Sequence, residues 1–300
     1  TLRHLRLPGI SSRNVENDRR WSSANRLRLK LGAIKIQTEL SEPAAQGLET
    51  PQQAGIPSAL LIPYLLYKWV IIIPTLLIST LVIGSLIIIL CFLGLANFAS
   101  SVLAAFWARL NASVSLVNVE VYGKEHLEEG RSYVLAANHM SLIDIYVLYG
   151  FSGLSLKWVM KKELRKVPVL GLACELMGHI FVDRSSTEKA LNSIHAARER
   201  IKDGMCVVFF PEGTRSRTTE LRSFKKGAFM MAQDLGASVV PVSISNTHRI
   251  VPSDTLDWRP GTVTLTFHQP IPVDNNTDIS KLATDTRAII IDALSNSAAA

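Results

Sequence analysis

The chain has 300 residues, 48% of them hydrophobic, and a formal net charge of +7. That length buries an ample core as one large domain or two small ones. The three cysteines, Cys91, Cys174 and Cys206, form no CxxC pair, which excludes a disulfide framework and a cysteine zinc site and points to a reducing, cytosol-facing compartment.

The first 38 residues carry nine Lys or Arg against Glu16 and Asp18, so the positive charge of the whole chain is concentrated there. The segment is rich in Arg and Ser and poor in acids, as a transit peptide is. Basic residues ahead of a membrane stretch favour the cytoplasmic side. Residues 39–57, with Pro43, Pro51, Pro57 and several Gln, read as a linker. Residues 1–57 are thus expected to be a basic, disordered extension and linker.

No charged residue lies between Lys68 and Arg109. This run is about twice the ~20 residues one membrane span needs. Tyr64, Tyr67 and Trp69 precede it and Trp107 follows, residues that favour the headgroup level. The mean hydropathy of +0.22 owes its sign to this stretch. Residues 58–110 are expected to form a membrane-embedded helical hairpin, with Pro74, Gly84 or the patch 96–101 marking kinks or the turn. One span followed by an interfacial helix is the alternative.

From Val117 the periodicity alternates. Strands are predicted at 119–123, 133–137, 156–160, 179–183, 206–210, 238–244 and 262–267. Helices are predicted at 139–149, within 162–177, and at 187–203, 226–235 and 279–294. Strands alternating with helices imply an α/β layer domain over 111–300, with a mixed, partly parallel sheet flanked by helices. A site then belongs at the C-terminal ends of the strands.

Three chemistry-bearing stretches fall just after predicted strands. In AANHMSLID, His139 can take a proton near neutral pH and Asp144 can fix its tautomer. Residues five apart lie about 140° apart around a regular helix. The pair meets only if His139 stands at or before the helix start. In FFPEGTRSR, Gly213 permits close backbone approach and Arg215 offers a planar fork suited to phosphate. Glu212 is placed to hold that arginine or to accept a substrate hydroxyl. Lys225 and Lys226 follow at a helix start. In VDRSS, Arg184 is either an ion-pair partner of Asp183 or a phosphate contact, and Lys161 opens a helix after a strand. GxSxG, HExxH and a P-loop are absent, and no Ser or Cys stands in a nucleophile setting. A histidine base without a protein nucleophile suggests direct transfer to an acceptor hydroxyl.

The order NHMSLID, KKEL, HIFVDR, FPEGTRSR with FKKGAF, then VVPVSI resembles the membrane-bound glycerolipid acyltransferases, most closely the bacterial 1-acylglycerol-3-phosphate (lysophosphatidate) acyltransferases. The NHxxxxD block matches at Asn138, His139 and Asp144. The phosphate-binding block matches at Phe210, Pro211, Glu212, Gly213, Thr214 and Arg215. The middle block matches at Phe181, Asp183 and Arg184, and the proline block at Val240 and Pro241. The likeness covers roughly residues 115–275 and, more loosely, the apolar segment before them. It implies an acyltransferase fold of the glycerol-3-phosphate acyltransferase type. It also implies transfer of an acyl chain from acyl-CoA or acyl carrier protein to the sn-2 hydroxyl of lysophosphatidic acid, giving phosphatidic acid. His139 and Asp144 would be catalytic. Asn138, Lys161, Arg184, Glu212, Gly213, Thr214 and Arg215 would bind substrate. The resemblance implies no metal, no cofactor and no nucleic-acid partner, and a membrane location at the cytoplasmic side of a bacterial inner membrane. An acceptor such as a lyso-ornithine lipid, a lysophospholipid or glycerol 3-phosphate fits the same motifs. A lipid- or nucleic-acid-binding module and a hydrolase are the readings from other classes.

Overall fold

The computed structural model describes residues 58–197, 201, 204–216 and 220–299. The expected extension and linker at 1–57 lie outside them, as does Arg217. From Ser58 onward the chain forms one compact unit.

Helix α1, Leu60–Phe92, opens this unit and contains a π-helical stretch at Lys68–Ile72. Among the described residues it is the one helix long and apolar enough to cross a membrane. It leaves Ile62, Leu66, Val70, Ile78, Val82 and Phe92 each more than half exposed. A turn at Leu93–Leu95, with Gly94 at φ 80°, reverses the chain. A second helical run then starts at Ala96 and ends in α2, Ala104–Val114. Polar contacts join the pair. Ser79 Oγ donates to Asn111 Oδ1 (3.0 Å), and Trp107 Nε1 donates to Thr80 Oγ1 (3.2 Å). Tyr64 and Tyr67, headgroup-type residues by sequence, donate to the carbonyls of Trp258 and Val114 (2.6 and 2.9 Å).

Seven strands follow: β1 Val117–Tyr122, β2 Tyr133–Ala137, β3 Ser155–Lys161, β4 Ile180–Val182, β5 Met205–Phe209, β6 Ser238–Ser245 and β7 Gly261–Phe267. Their order in the single sheet is β1-β7-β6-β2-β5-β3-β4, with every pairing parallel except β6 with β7. The sheet is therefore mixed, as expected. The helices are α3 Ile143–Phe151, α4 Leu170–Leu176, α5 Thr187–Ala197, α6 Gly227–Leu235, α7 Thr247–Ile250 and α8 Ile279–Ala299.

Both faces of the sheet are covered, which is why its central strands read as unbroken apolar runs. Alternate residues part to opposite sides. Leu135, Val208 and Val242 face a core shared with α1, α2 and α3, whereas Val134, Val207 and Val239 face one built with α5, α6 and α8. Parallel strands bring the ends of β2, β3, β4 and β5 to one edge, and this edge carries every sequence-predicted site residue.

Candidate active site

Strand β2 ends at Ala137, and the helix after it begins only at Ile143, not at His139 as the sequence suggested. The reason is Asp144. From the first turn of α3 its Oδ2 accepts from Met140 N and Ser141 N (both 2.8 Å) and from His139 Nδ1 (2.8 Å). A carboxylate capping its own upstream amides turns the backbone away from helix. Because an ionised carboxylate can only accept, Nδ1 of His139 carries the proton and Nε2 keeps its lone pair. Asp144 is fully buried, while the His139 side chain keeps 15% exposure. The imidazole stacks on Phe210, with centroids 3.9 Å apart and planes 9° from parallel.

Two buried side chains hold this loop in place. Asn138 donates to Ile244 O (2.9 Å) and accepts from Ile244 N (2.8 Å), tying the end of β2 to β6. Glu212 accepts from His139 N (3.0 Å) and Arg222 N (3.1 Å). Burial pushes the Glu212 carboxyl up, against the pull of those two amides. Asn138 and Glu212, expected to touch substrate, make these backbone bonds and so position the loop that carries His139. Ser216 N also donates to His139 O (2.8 Å), so the loops after β2 and β5 are laced together.

Before His139 lies a cavity of about 790 Å³. Its mouth carries Lys161, Arg184, Arg215 and Arg222 with Thr214 and Asp254. Gly213, at φ 82°, turns the loop so that Arg184 Nη1 donates to its carbonyl. A Cβ there would stand 2.8 Å from Lys225 Nζ. Arg215 pairs with Asp254 (3.2 Å), and Arg222 Nη1 donates to Thr214 Oγ1 (3.1 Å). Lys161 pairs with Glu163 (3.8 Å). The anticipated Asp183–Arg184 pair does not form. Asp183 pairs with Lys162 (2.7 Å), and that contact holds its carboxyl well below the usual carboxylate range. Inward, the walls turn apolar and aromatic, including Ile87, Trp107, Tyr146, Trp158 and Met177. Gly84 of α1 lets Val169 pack against the helix. A cationic mouth, a histidine with a free Nε2 and a greasy interior suit an amphiphile with an anionic head. Among the described residues no cluster of three metal-ligating side chains occurs.

A family model described as Acyltransferase matches residues 118–245. A 1-acyl-sn-glycerol-3-phosphate acyltransferase of Saccharomyces cerevisiae is 32% identical over 237 residues, covering 77% of this chain and 78% of its own. The chain belongs to the 1-acyl-sn-glycerol-3-phosphate acyltransferase family. A member from Chlamydomonas reinhardtii is 35% identical over 162 residues, 53% of this chain and 48% of that protein. The chain thus spans about half the length of several relatives it matches. The crystal structure of the 1-acyl-sn-glycerophosphate (LPA) acyltransferase PlsC from Thermotoga maritima shares the fold. Its TM-score is 0.67 at 26% identity, over 80% of this chain and 98% of that one.

Within this family's fold, sequence reasoning missed Arg222, Asp254 and the tunnel aromatics. Arg222 sits between segments without periodicity, and nothing in its surroundings by sequence marks it. Trp107 reads by sequence as a headgroup-level residue and Tyr146 and Trp158 as parts of an apolar helix and strand, because a cavity wall and a core face have the same apolar pattern.

Proposed function

We propose that the chain transfers an acyl group from an acyl thioester, on coenzyme A or acyl carrier protein, to the sn-2 hydroxyl of 1-acylglycerol 3-phosphate. The observation that carries this reading is the His139–Asp144 pair at the meeting point of a cationic mouth and an apolar tunnel. The named activities of the relatives support it.

His139 Nε2 takes the proton from the acceptor hydroxyl as its oxygen attacks the thioester carbonyl carbon. The C–O bond forms, the C–S bond breaks, and the proton passes from Nε2 to the departing thiolate. Phosphatidate and a free thiol result. Asp144 holds the productive tautomer and stabilises the imidazolium. Arg184, Arg215 and Lys161 hold the phosphate, with Thr214 beside them, and the tunnel takes the acyl chain. All of the reacting lipids are bilayer components. The exposed apolar faces of α1 and the turn at Leu93–Leu95 would embed residues 58–110 in a membrane as a helical hairpin. The relatives include chloroplastic and yeast proteins, so the reading extends to a membrane surface in general and not to a bacterial inner membrane in particular.

The test compares membranes carrying this chain with a His139→Ala version at equal expression, each given acyl-CoA and lysophosphatidate. General base catalysis is worth about 10²–10⁴ in rate, and a loss of that size is expected in phosphatidate formed. Equal product from both chains would remove His139 from the base role. Product with another lyso-lipid but not with lysophosphatidate would move the acceptor.

A further inference from the structure

Arg222 lies on the loop leading to α6, and that loop is gripped from behind by the C-terminal helix. Arg287 of α8 donates from Nε to Arg222 O (2.9 Å) and from Nη2 to Leu221 O (2.5 Å). Leu221, 5% exposed, packs with Ile290 of α8 and with Met140, the residue after His139. Arg287 does not line the cavity before His139; Arg222 does. The grip therefore sets three things at once: the Arg222 amide on Glu212, the Arg222 guanidinium beside Thr214, and the flank of the His139 loop.

Resting on the acceptor assigned above, we propose that Arg222 is a further contact for the acceptor's phosphate, and that Arg287 is its positioning residue. A phosphate presents three oxygens that suit planar, forked donors. Arg184 and Arg215 direct bonds to Gly213 and Asp254, and Arg222 one to Thr214, so Arg222 adds a third guanidinium to the cationic lining. Its charge makes the mouth selective for a phosphate-bearing head over a neutral one. The C-terminal helix is then a working part of the headgroup site.

The experiment uses the full chain with Arg222→Gln, Arg287→Gln, Arg287→Lys and the double Gln variant. Acyl-CoA is the donor, and lysophosphatidate or the matching 1-acylglycerol is the acceptor. Equilibrium binding of each acceptor to the detergent-solubilised chain, without donor, is measured alongside turnover. Arg222→Gln is expected to raise KM and Kd for lysophosphatidate roughly 10–100-fold, the size of losing a charged hydrogen bond. It should leave kcat and the donor KM within about twofold. Arg287→Gln should raise the same constants by a smaller factor, Arg287→Lys should recover part of the loss, and the double variant should be no worse than Arg222→Gln alone. An unchanged lysophosphatidate KM in Arg222→Gln, or a shift in the donor KM instead, would overturn the contact. Additive losses in the double variant, or a lower melting temperature with no change in KM, would overturn the positioning role. A parent chain that binds lysophosphatidate but forms no phosphatidate sinks the reaction assigned above. A parent that binds it no better than 1-acylglycerol sinks this proposal.

Discussion

Asp144 Oδ2 lies 2.8 Å from His139 Nδ1 although five residues separate them, because the same oxygen also binds the amides of Met140 and Ser141. One carboxylate oxygen thus shapes the loop and orients the base. Its other oxygen, Oδ1, is buried without a hydrogen-bond partner among the described residues.

Asp144→Asn separates these two duties. The amide oxygen can take the place of Oδ2 and keep all three bonds, with the NH₂ in the position of Oδ1. The loop should persist while the negative charge behind the imidazolium is lost. Phosphatidate formation is expected to fall about 10²–10⁴-fold with the circular dichroism spectrum retained. Near-parental turnover would show that the carboxylate serves the loop alone.

Gly84 sits where α1 forms one wall of the tunnel, and a Cβ there would meet Val169 Cγ1 at 2.7 Å. Val169 is held at φ 63°, a costly conformation for a β-branched residue, so it cannot readily yield. Gly84→Ala is expected to force α1 away from Val169, to distort the cavity wall that Gly84 lines and to cost about 1–3 kcal/mol of stability, as overpacking does. Across a series of acyl-CoA donors, kcat/KM should fall more for long chains than for short ones. A uniform loss across the series would show that the acyl chain does not pass this point.

Acid should destabilise the fold through His179. Burial, helped by the nearby Lys157 charge, lowers its pKa to about 3. Lys157 Nζ is itself bonded to Met177 O (2.6 Å), and the backbone N–H of Trp158 donates to His179 Nδ1 (3.4 Å). Tyr149, whose hydroxyl lies 3.4 Å from Nε2, is the other polar group facing the ring. The unfolded chain protonates this imidazole near pH 6.5 and the folded chain does not until about pH 3. Between those values the unfolded state binds the extra proton, so stability falls as pH falls. The slope from this group is about 1.4 kcal/mol per pH unit, and above pH 6.5 it contributes none. Denaturant midpoints measured from pH 7 to pH 4 should drop more steeply for the parent than for His179→Gln. Parallel curves would remove His179 as the cause.

Much of the fold was legible because its signals are local. Strand β2 was read at 133–137 and lies at Tyr133–Ala137, and the apolar runs of β5 and β6 were read within a residue of their ends. Periodicity of two with both faces apolar leaves few other structures open to such segments. The helix after β2 was read four residues too early, because the capping carboxylate that delays it acts from within the helix itself. Helix α7 was missed, being a single turn after Asn246 at φ 66°.

By itself the sequence determined the alternating α/β pattern, the apolar run, and the residue types able to move a proton and hold an anion, since these follow from side-chain chemistry and local period. Only the tertiary structure decided their roles. It tied Asn138 and Glu212 to the backbone of Ile244, His139 and Arg222, so that both brace the loop carrying the histidine. It also brought Arg287 of α8 against the loop that carries Arg222, 65 residues earlier. Contacts of that span arise from how the sheet edge and the last helix pack, and no short stretch of sequence records them.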